Sequence, residues 1–136
     1  MNNQKGLALW HQFVNNRDTS RLDDLIADDA ILHSPVVWTP QKGKKIVNIY
    51  LTAAASIIAN KHFKYVREVT NKEHSILEFS TVIEGVTVEG VDMLTFDEEG
   101  KLQDIKVMLR PLKGIQIVHQ KMGEFLERMK KQLGTL

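Results

Sequence analysis

The sequence predicts an α+β fold in one domain, on three observations. Apolar residues recur every three or four positions over the first sixty residues and again after Pro111, which is the spacing of amphipathic helices. Between about His62 and Arg110 the period drops to two, that of half-buried strands. Turn-forming residues cut this middle stretch into four pieces, so a strand meander lies between helical ends. A chain of 136 residues closes around one core and is too short for two.

Leu7, Leu9, Trp10, Phe13 and Val14 mark the first helix, with Asn15 and Asn16 at its end. Thr19 or Ser20 is placed to cap a short second helix through Leu22, Leu25 and Ile26. Asp23 and Asp24 suit its first turn, where carboxylates meet the positive end of the helix dipole. Residues 28–35 read as a turn and a brief strand stopped by Pro35, with Asp28 and Asp29 as solvent-facing capping residues. A polar loop holding Pro40 and Gly43 leads to a third helix, from about Lys44 to Asn60. Its apolar side carries Ile46, Ile49, Tyr50, Ala53, Ala54, Ile57 and Ile58.

The first strand of the meander carries Phe63, Tyr65 and Val69 and turns at Asn71-Lys72-Glu73. The others run over Ser75 to Glu84, Thr87 to Phe96 and Lys101 to Arg110. Gly85 and the run Asp97-Glu98-Glu99-Gly100 make the tight connections. A last helix, Leu112 to Leu133, has the stripe Ile115, Val118, Met122, Phe125, Met129 and Leu133.

Hydrophobic residues are 43% and charged residues 26% of the chain, the balance of a folded protein rather than a disordered one. A formal net charge of +1 leaves no electrostatic footprint for nucleic acid. The absence of Cys removes disulfides, thiolate catalysis and cysteine-bound metal centres. The start of the chain, Met1 to Gly6, does not read as a signal peptide, and no apolar stretch approaches the ~20 residues of a membrane span. A cytoplasmic protein is the expectation.

Sorting the strands by parity locates a candidate site. Val88, Gly90, Asp92, Leu94 and Phe96 share one face of their strand. Leu77, Phe79, Thr81 and Ile83, and then Ile105, Val107 and Leu109, are the apolar faces of its neighbours. Asp92 is therefore an acid among inward-facing apolar residues. Desolvation raises the pKa of such a carboxyl and makes it a hydrogen-bond donor or general acid. The structural alternative is an acid at a cavity mouth, bonded to backbone amides or a nearby hydroxyl.

The helix order, Leu25-Ile26-Ala27-Asp28-Asp29-Ala30, the short strand ending at Pro35 and the run Gly90-Val91-Asp92-Met93-Leu94-Thr95-Phe96 through Gly100-Lys101-Leu102 together resemble one family. It is the nuclear transport factor 2-like superfamily, in its SnoaL-like and ketosteroid-isomerase-like branch. The resemblance covers nearly the whole chain and implies a cone-shaped, cystatin-like fold, a curved antiparallel sheet packed on N-terminal helices with a long C-terminal helix. In ketosteroid isomerases the general base is an Asp directly before that Pro; Ser34 stands there. Their oxyanion-hole Tyr on the first helix aligns with Trp10, and their protonated Asp with Asp92. One of three catalytic positions is kept, which argues against steroid isomerisation. Limonene-epoxide-hydrolase-like members carry an Arg-x-Asp pair on this strand, and here the pair reads Gly90 and Asp92.

The resemblance implies binding of a small, largely apolar organic molecule in the cone. Acid/base chemistry of isomerase, cyclase or hydrolase type is one expectation; a non-catalytic ligand-binding or dimerisation module is the alternative. In the enzymatic version Asp92 donates to an oxygen, and His33, beside Ser34, replaces the lost base. Tyr50 and Trp38 would orient the molecule, with Trp10, Tyr65, Phe79 and Phe96 as further ligand-contacting walls.

His11, His33, His62, His74 and His119 show no metal-ligand spacing, and Gly43-Lys44-Lys45 is not a phosphate-binding loop. No metal or cofactor is expected. Lys121, Arg128, Lys130 and Lys131 line the polar side of the last helix, and covering the protein's own sheet, or pairing with a second subunit, outranks a membrane surface or a partner groove as the use of that helix. Ile76, Val82, Val91, Met93, Leu102 and Met108 fall on the outward sheet face. A patch of that kind predicts a homodimer.

Overall fold

Trp10, Phe13 and Val14 are buried on one side of the first helix, α1 (Asn2–Asn16), which ends at Arg17 with φ 51°. The structure is a computed structural model describing residues 2–133, with side chains from Gln4 to Gln132. Met1, and the side chain of Leu133 at the end of the expected stripe, lie outside the described residues.

Asp18, rather than Thr19 or Ser20, makes the next cap: its carboxylate accepts the Ser20 backbone N–H at 3.0 Å. A 3₁₀ turn (Thr19–Arg21) and one turn of helix, α2 (Leu22–Leu25), follow. The chain is already extended at Ile26, where β1 (Ile26–His33) begins. Asp28 and Asp29 therefore do not cap a helix. They are the exposed residues of a register break between Ile26 and Ile31, which lets Ile26, Ala27 and Ala30 all be buried. A two-residue strand inside the expected loop, β2 (Gln41–Lys42), pairs with β1 before α3 (Lys44–Ile57).

Helix α3 stops three residues short of Asn60, because the Asn60 side chain closes its end. Its amide donates to the carbonyls of Ile57 (3.2 Å) and Val82 (2.9 Å), and its oxygen accepts the His62 N–H (2.8 Å) and the Thr81 hydroxyl (2.9 Å).

The expected meander is present as β3 (Lys64–Thr70), β4 (His74–Ile83), β5 (Val86–Phe96) and β6 (Leu102–Arg110). Glu84 and Gly85 form a two-residue hairpin with φ 48° and 80°, the left-handed pair that matches strand twist. At the next turn the Asp97 carboxylate accepts the N–H groups of Glu99 and Lys101, both at 2.9 Å.

The sheet has six strands in the order β2-β1-β6-β5-β4-β3. Every pairing is antiparallel except β1 with β6, which is parallel. Alternate residues of β4 and β5 are buried, as parity requires. Leu102 departs from the expectation: Phe96 faces Leu102 and Thr95 faces Asp104, so the extra residue Gln103 flips the parity. Leu102 is fully buried and leaves the outward patch.

The main core lies between the inner sheet face and α1, α2 and α3. A smaller cluster of Ile83, Val88 and Val118 sits under α4 (Leu112–Leu133). Lys121 on α4 pairs with Glu84 of the β4–β5 hairpin. Among the described residues no helix is long and apolar enough to cross a membrane.

Candidate functional site

The helices and the inner sheet face do not fill the cone; they enclose a cavity of about 220 Å³. Trp10, Phe13 and Val14 form the α1 wall. On α3 and just past its end the small residues Ala54, Ala55 and Ala59 leave room that larger side chains would take, flanked by Tyr50 and Ile58. Phe63, Tyr65, Phe79 and Ile105 come from the β3 side and the sheet, and Val118, His119, Met122, Gly123 and Leu126 from α4. The lining is aliphatic and aromatic with few polar atoms.

Asp92 is one of those few. It sits on the inner face of β5, between Leu77 of β4 and Val107 of β6, with 8% of its surface exposed. Its Oδ2 accepts the Tyr65 hydroxyl at 2.9 Å, and that hydroxyl oxygen accepts the Trp10 Nε1–H, also at 2.9 Å. The relay links α1, β3 and β5. Phe63 holds the Tyr65 ring edge-on at 4.9 Å and His11 at 5.5 Å, and His11 is anchored in turn to Glu68 at 2.7 Å.

Asp92 Oδ1 meets no donor among the described residues, yet no fully buried side-chain oxygen or nitrogen lacks a partner. Oδ1 thus keeps some open surface, on a residue that lines the cavity. Burial pushes the carboxyl up to about 7, against the Tyr65 hydrogen bond, which favours the ionised form. Burial, and then the neighbouring Asp92 charge, push the Tyr65 phenol well above its ordinary value, so it stays a donor. The site therefore holds a carboxyl poised between acid and base in an apolar chamber.

Gly90 explains why no Arg precedes this acid. A Cβ there would lie 2.5 Å from Phe79 Cζ and 2.7 Å from the Met108 carbonyl oxygen. The Phe79 ring takes the space that an Arg stem would need.

Of the residues singled out from sequence, Trp10, Tyr50, Tyr65, Phe79 and Asp92 line the cavity together. Three do not. His33 follows Leu32 and precedes Ser34, both lining residues, so strand parity turns it to the other face; there its Nε2 meets Asp104 Oδ2 at 3.0 Å. Trp38 lies in the loop after Pro35 and is 98% exposed, with no core face to hold it. Phe96 is buried beyond the cavity, packed so closely against Gly6 that α1 admits no side chain there.

The cavity-facing residues of α4, His119 and Gly123 above all, were missed because a stripe of apolar positions hides its polar and glycine neighbours on the same face. The spacing His119, Met122, Gly123, Leu126 was the available signal. Among the described residues no group of three or more His, Asp and Glu side chains is placed to hold a metal ion.

A curved sheet wrapped on N-terminal helices, closed by a long helix around an acid-bearing cavity, is the nuclear transport factor 2-like architecture in its SnoaL-like and ketosteroid-isomerase-like branch. The chain belongs to the SnoaL-like domain family, whose model matches residues 7–105. It is similar to the crystal structure of a steroid delta-isomerase from Pseudomonas aeruginosa, at 31% identity and a TM-score of 0.88, over 98% of this chain and 96% of that one. An uncharacterised protein with a cystatin-like fold from Silicibacter pomeroyi DSS-3 matches at 24% identity and a TM-score of 0.86, over 95% and 90% of the two chains. The epoxide hydrolase/cyclase-like enzyme SalBIII, of pyran ring formation in the polyether salinomycin, shares the fold at 14% identity and a TM-score of 0.63, over 79% and 90%. No curated protein matches the sequence.

Proposed function

We propose that this protein binds a small, largely apolar organic molecule in the cone and that Asp92 acts on one oxygen of it as hydrogen-bond donor and general acid. The observation that carries the reading is a buried carboxyl that lines an apolar cavity, held by Tyr65 through one oxygen and meeting no donor among the described residues at the other. Tyr65 already donates to Asp92 and accepts from Trp10, so of these three linked groups Asp92 is the one left to meet a ligand. With its carboxyl near 7, it gives a proton to a carbonyl, epoxide or ether oxygen and takes it back without leaving the neutral range. That suits isomerase, cyclase or hydrolase chemistry, and the 31% identity with a steroid delta-isomerase supports the first. A cavity of about 220 Å³ exceeds the ~150 Å³ that holds benzene, so a body of one or two rings fits.

A two-ring ketone with one acceptor oxygen and no donor, 2-acetonaphthone, tests this by calorimetry. Binding is expected below pH 7 and weakens about tenfold by about pH 8, because an ionised Asp92 no longer donates. Asp92→Asn, whose amide donates at every pH, flattens the profile. No binding, or a wild-type profile indifferent to pH, refutes the reading.

One observation favours a second reading, a binding module without turnover: Ser34 cannot serve as a carboxylate base and His33 faces away. Deuterium uptake at the methyl carbon of the ketone in D₂O separates the two. In the enzyme reading Asp92 gives its proton to the carbonyl oxygen while a solvent water takes the methyl proton, and Asp92 recovers its proton as the carbon picks up a deuteron from solvent. Uptake is then expected that Asp92→Asn abolishes; the module expects the same binding and no uptake.

The proposal includes a homodimer through the outer sheet face. Ile76, Val82, Val91 and Met93 are half-buried there and Met108 is 53% exposed, an apolar patch that a second copy would cover. Light scattering that returns a monomer at micromolar concentration rejects it.

A further inference from the structure

The cavity has a deep end and a rim, and the two differ chemically. Trp10 and Phe79 at the deep end are 3% and 2% exposed beside Asp92. At the rim His119 and Gly123 line the cavity yet are exposed, and so is Val37 of the loop after β1. His119, Met122, Gly123 and Leu126 share one face of α4 by helical spacing.

Gly123 is unexplained by packing. In a helix interior Gly is the poorest choice after Pro. Gly6, Gly90 and Gly114 each have neighbours where a side chain would begin, whereas a Cβ on Gly123 meets nothing within 4 Å. Its absent side chain leaves a notch in the rim. One turn earlier stands His119, whose ring makes no hydrogen bond or ion pair with another described residue. The cations of this stretch are engaged elsewhere: Lys121 pairs with Glu84 and Glu124, and Arg128 lies over the Phe125 ring at 5.5 Å.

We infer that the ligand has two polar ends: an oxygen held at Asp92 and, across an apolar body, an anionic or hydrogen-bond-accepting group that passes out at Gly123 and is met by His119. The inference rests on the ligand-binding reading above and narrows it to a class of molecule. A ring nitrogen of His119 donates to the outer group, and the notch keeps α4 from closing over it.

The test compares 2-acetonaphthone with 6-acetyl-2-naphthoate, the same ketone with a carboxylate at the far end of the rings. The wild type is expected to bind the naphthoate about tenfold or more tightly than the ketone, the worth of one charge-assisted hydrogen bond. His119→Ala, at an exposed position, brings the two affinities together. Gly123→Leu costs the naphthoate about tenfold and leaves the ketone within about twofold, since the ketone lies wholly inside. Equal wild-type affinities overturn the inference, as does a carboxylate advantage that survives His119→Ala or an equal loss of both ligands in Gly123→Leu. If neither molecule binds, or Asp92→Asn leaves the ketone's pH profile unchanged, the ligand-binding reading has failed. Ketone binding that depends on Asp92 without any carboxylate advantage leaves that reading standing and removes only the two-ended ligand.

Discussion

Replacing Asp92 by Asn should make the protein's stability less sensitive to pH, in a direction that burial dictates. The amide keeps an oxygen for the Tyr65 hydroxyl and carries no proton that titrates. In the wild type the folded carboxyl sits at about 7, against about 3.9 in an unfolded chain. Between those values the folded state holds a proton that the unfolded state has released, so stability falls as pH rises. Below about pH 4 both states are protonated and nothing is lost; above about 7 the loss is complete. The separation corresponds to about 4 kcal/mol in all, of which about 2.5 kcal/mol falls between pH 5 and pH 8. Urea unfolding of both proteins at those two pH values reads it. The advantage of Asp92→Asn over the wild type is expected to grow by about 2.5 kcal/mol from the lower pH to the higher. Only the change with pH is read, so any fixed cost of the amide cancels, and the surface pairs His11–Glu68 and His33–Asp104 contribute equally to both proteins. An advantage constant to within about 0.5 kcal/mol would refute the desolvated-acid assignment.

Tyr65→Phe should destabilise by about 1–3 kcal/mol, because Trp10 Nε1–H and Asp92 Oδ2 both lose their partner. The same change should raise the Asp92 carboxyl further, since the lost hydrogen bond favoured the ionised form; NMR titration of the Asp92 carboxyl carbon reads this. Gly90→Ala should cost about 2–3 kcal/mol in denaturant unfolding, from overlap with Phe79 and the Met108 carbonyl. His33→Ala should leave binding of 2-acetonaphthone within about twofold and stability within about 1 kcal/mol, as expected for a partly exposed pair on the outer face.

The alternation around Asp92 was legible because β5 runs eleven residues without interruption, long enough for parity to be unambiguous. Where a strand is broken, the same rule failed. Gln103 adds one residue opposite the Thr95–Phe96 step and turns Leu102 inward, and nothing in the local pattern marks that bulge. His33 was legible in principle: once the strand runs through it, its two neighbours face the cavity and it cannot. The Tyr65–Asp92 contact was out of reach, since it spans β4 and depends on Tyr65 pairing with Phe79 and Phe79 with Gly90. Trp38 shows the weakness of residue type alone: an aromatic ring in a loop has no periodicity to say where it points.

The parallel pairing of β1 with β6 bears on how the chain reaches this shape as it is made. Ile31 and His33 find their neighbours, Asp104 and Lys106, roughly seventy residues downstream, a separation that slows folding because a long loop must close first. A nascent chain that has left the ribosome only as far as the β4–β5 hairpin has its N-terminal helices and β1 paired with the two residues of β2, but no strand for the other edge of β1. Its apolar surfaces stay uncovered until β6 emerges, so the interval before the last strand is synthesised is when this protein most needs protection from aggregation.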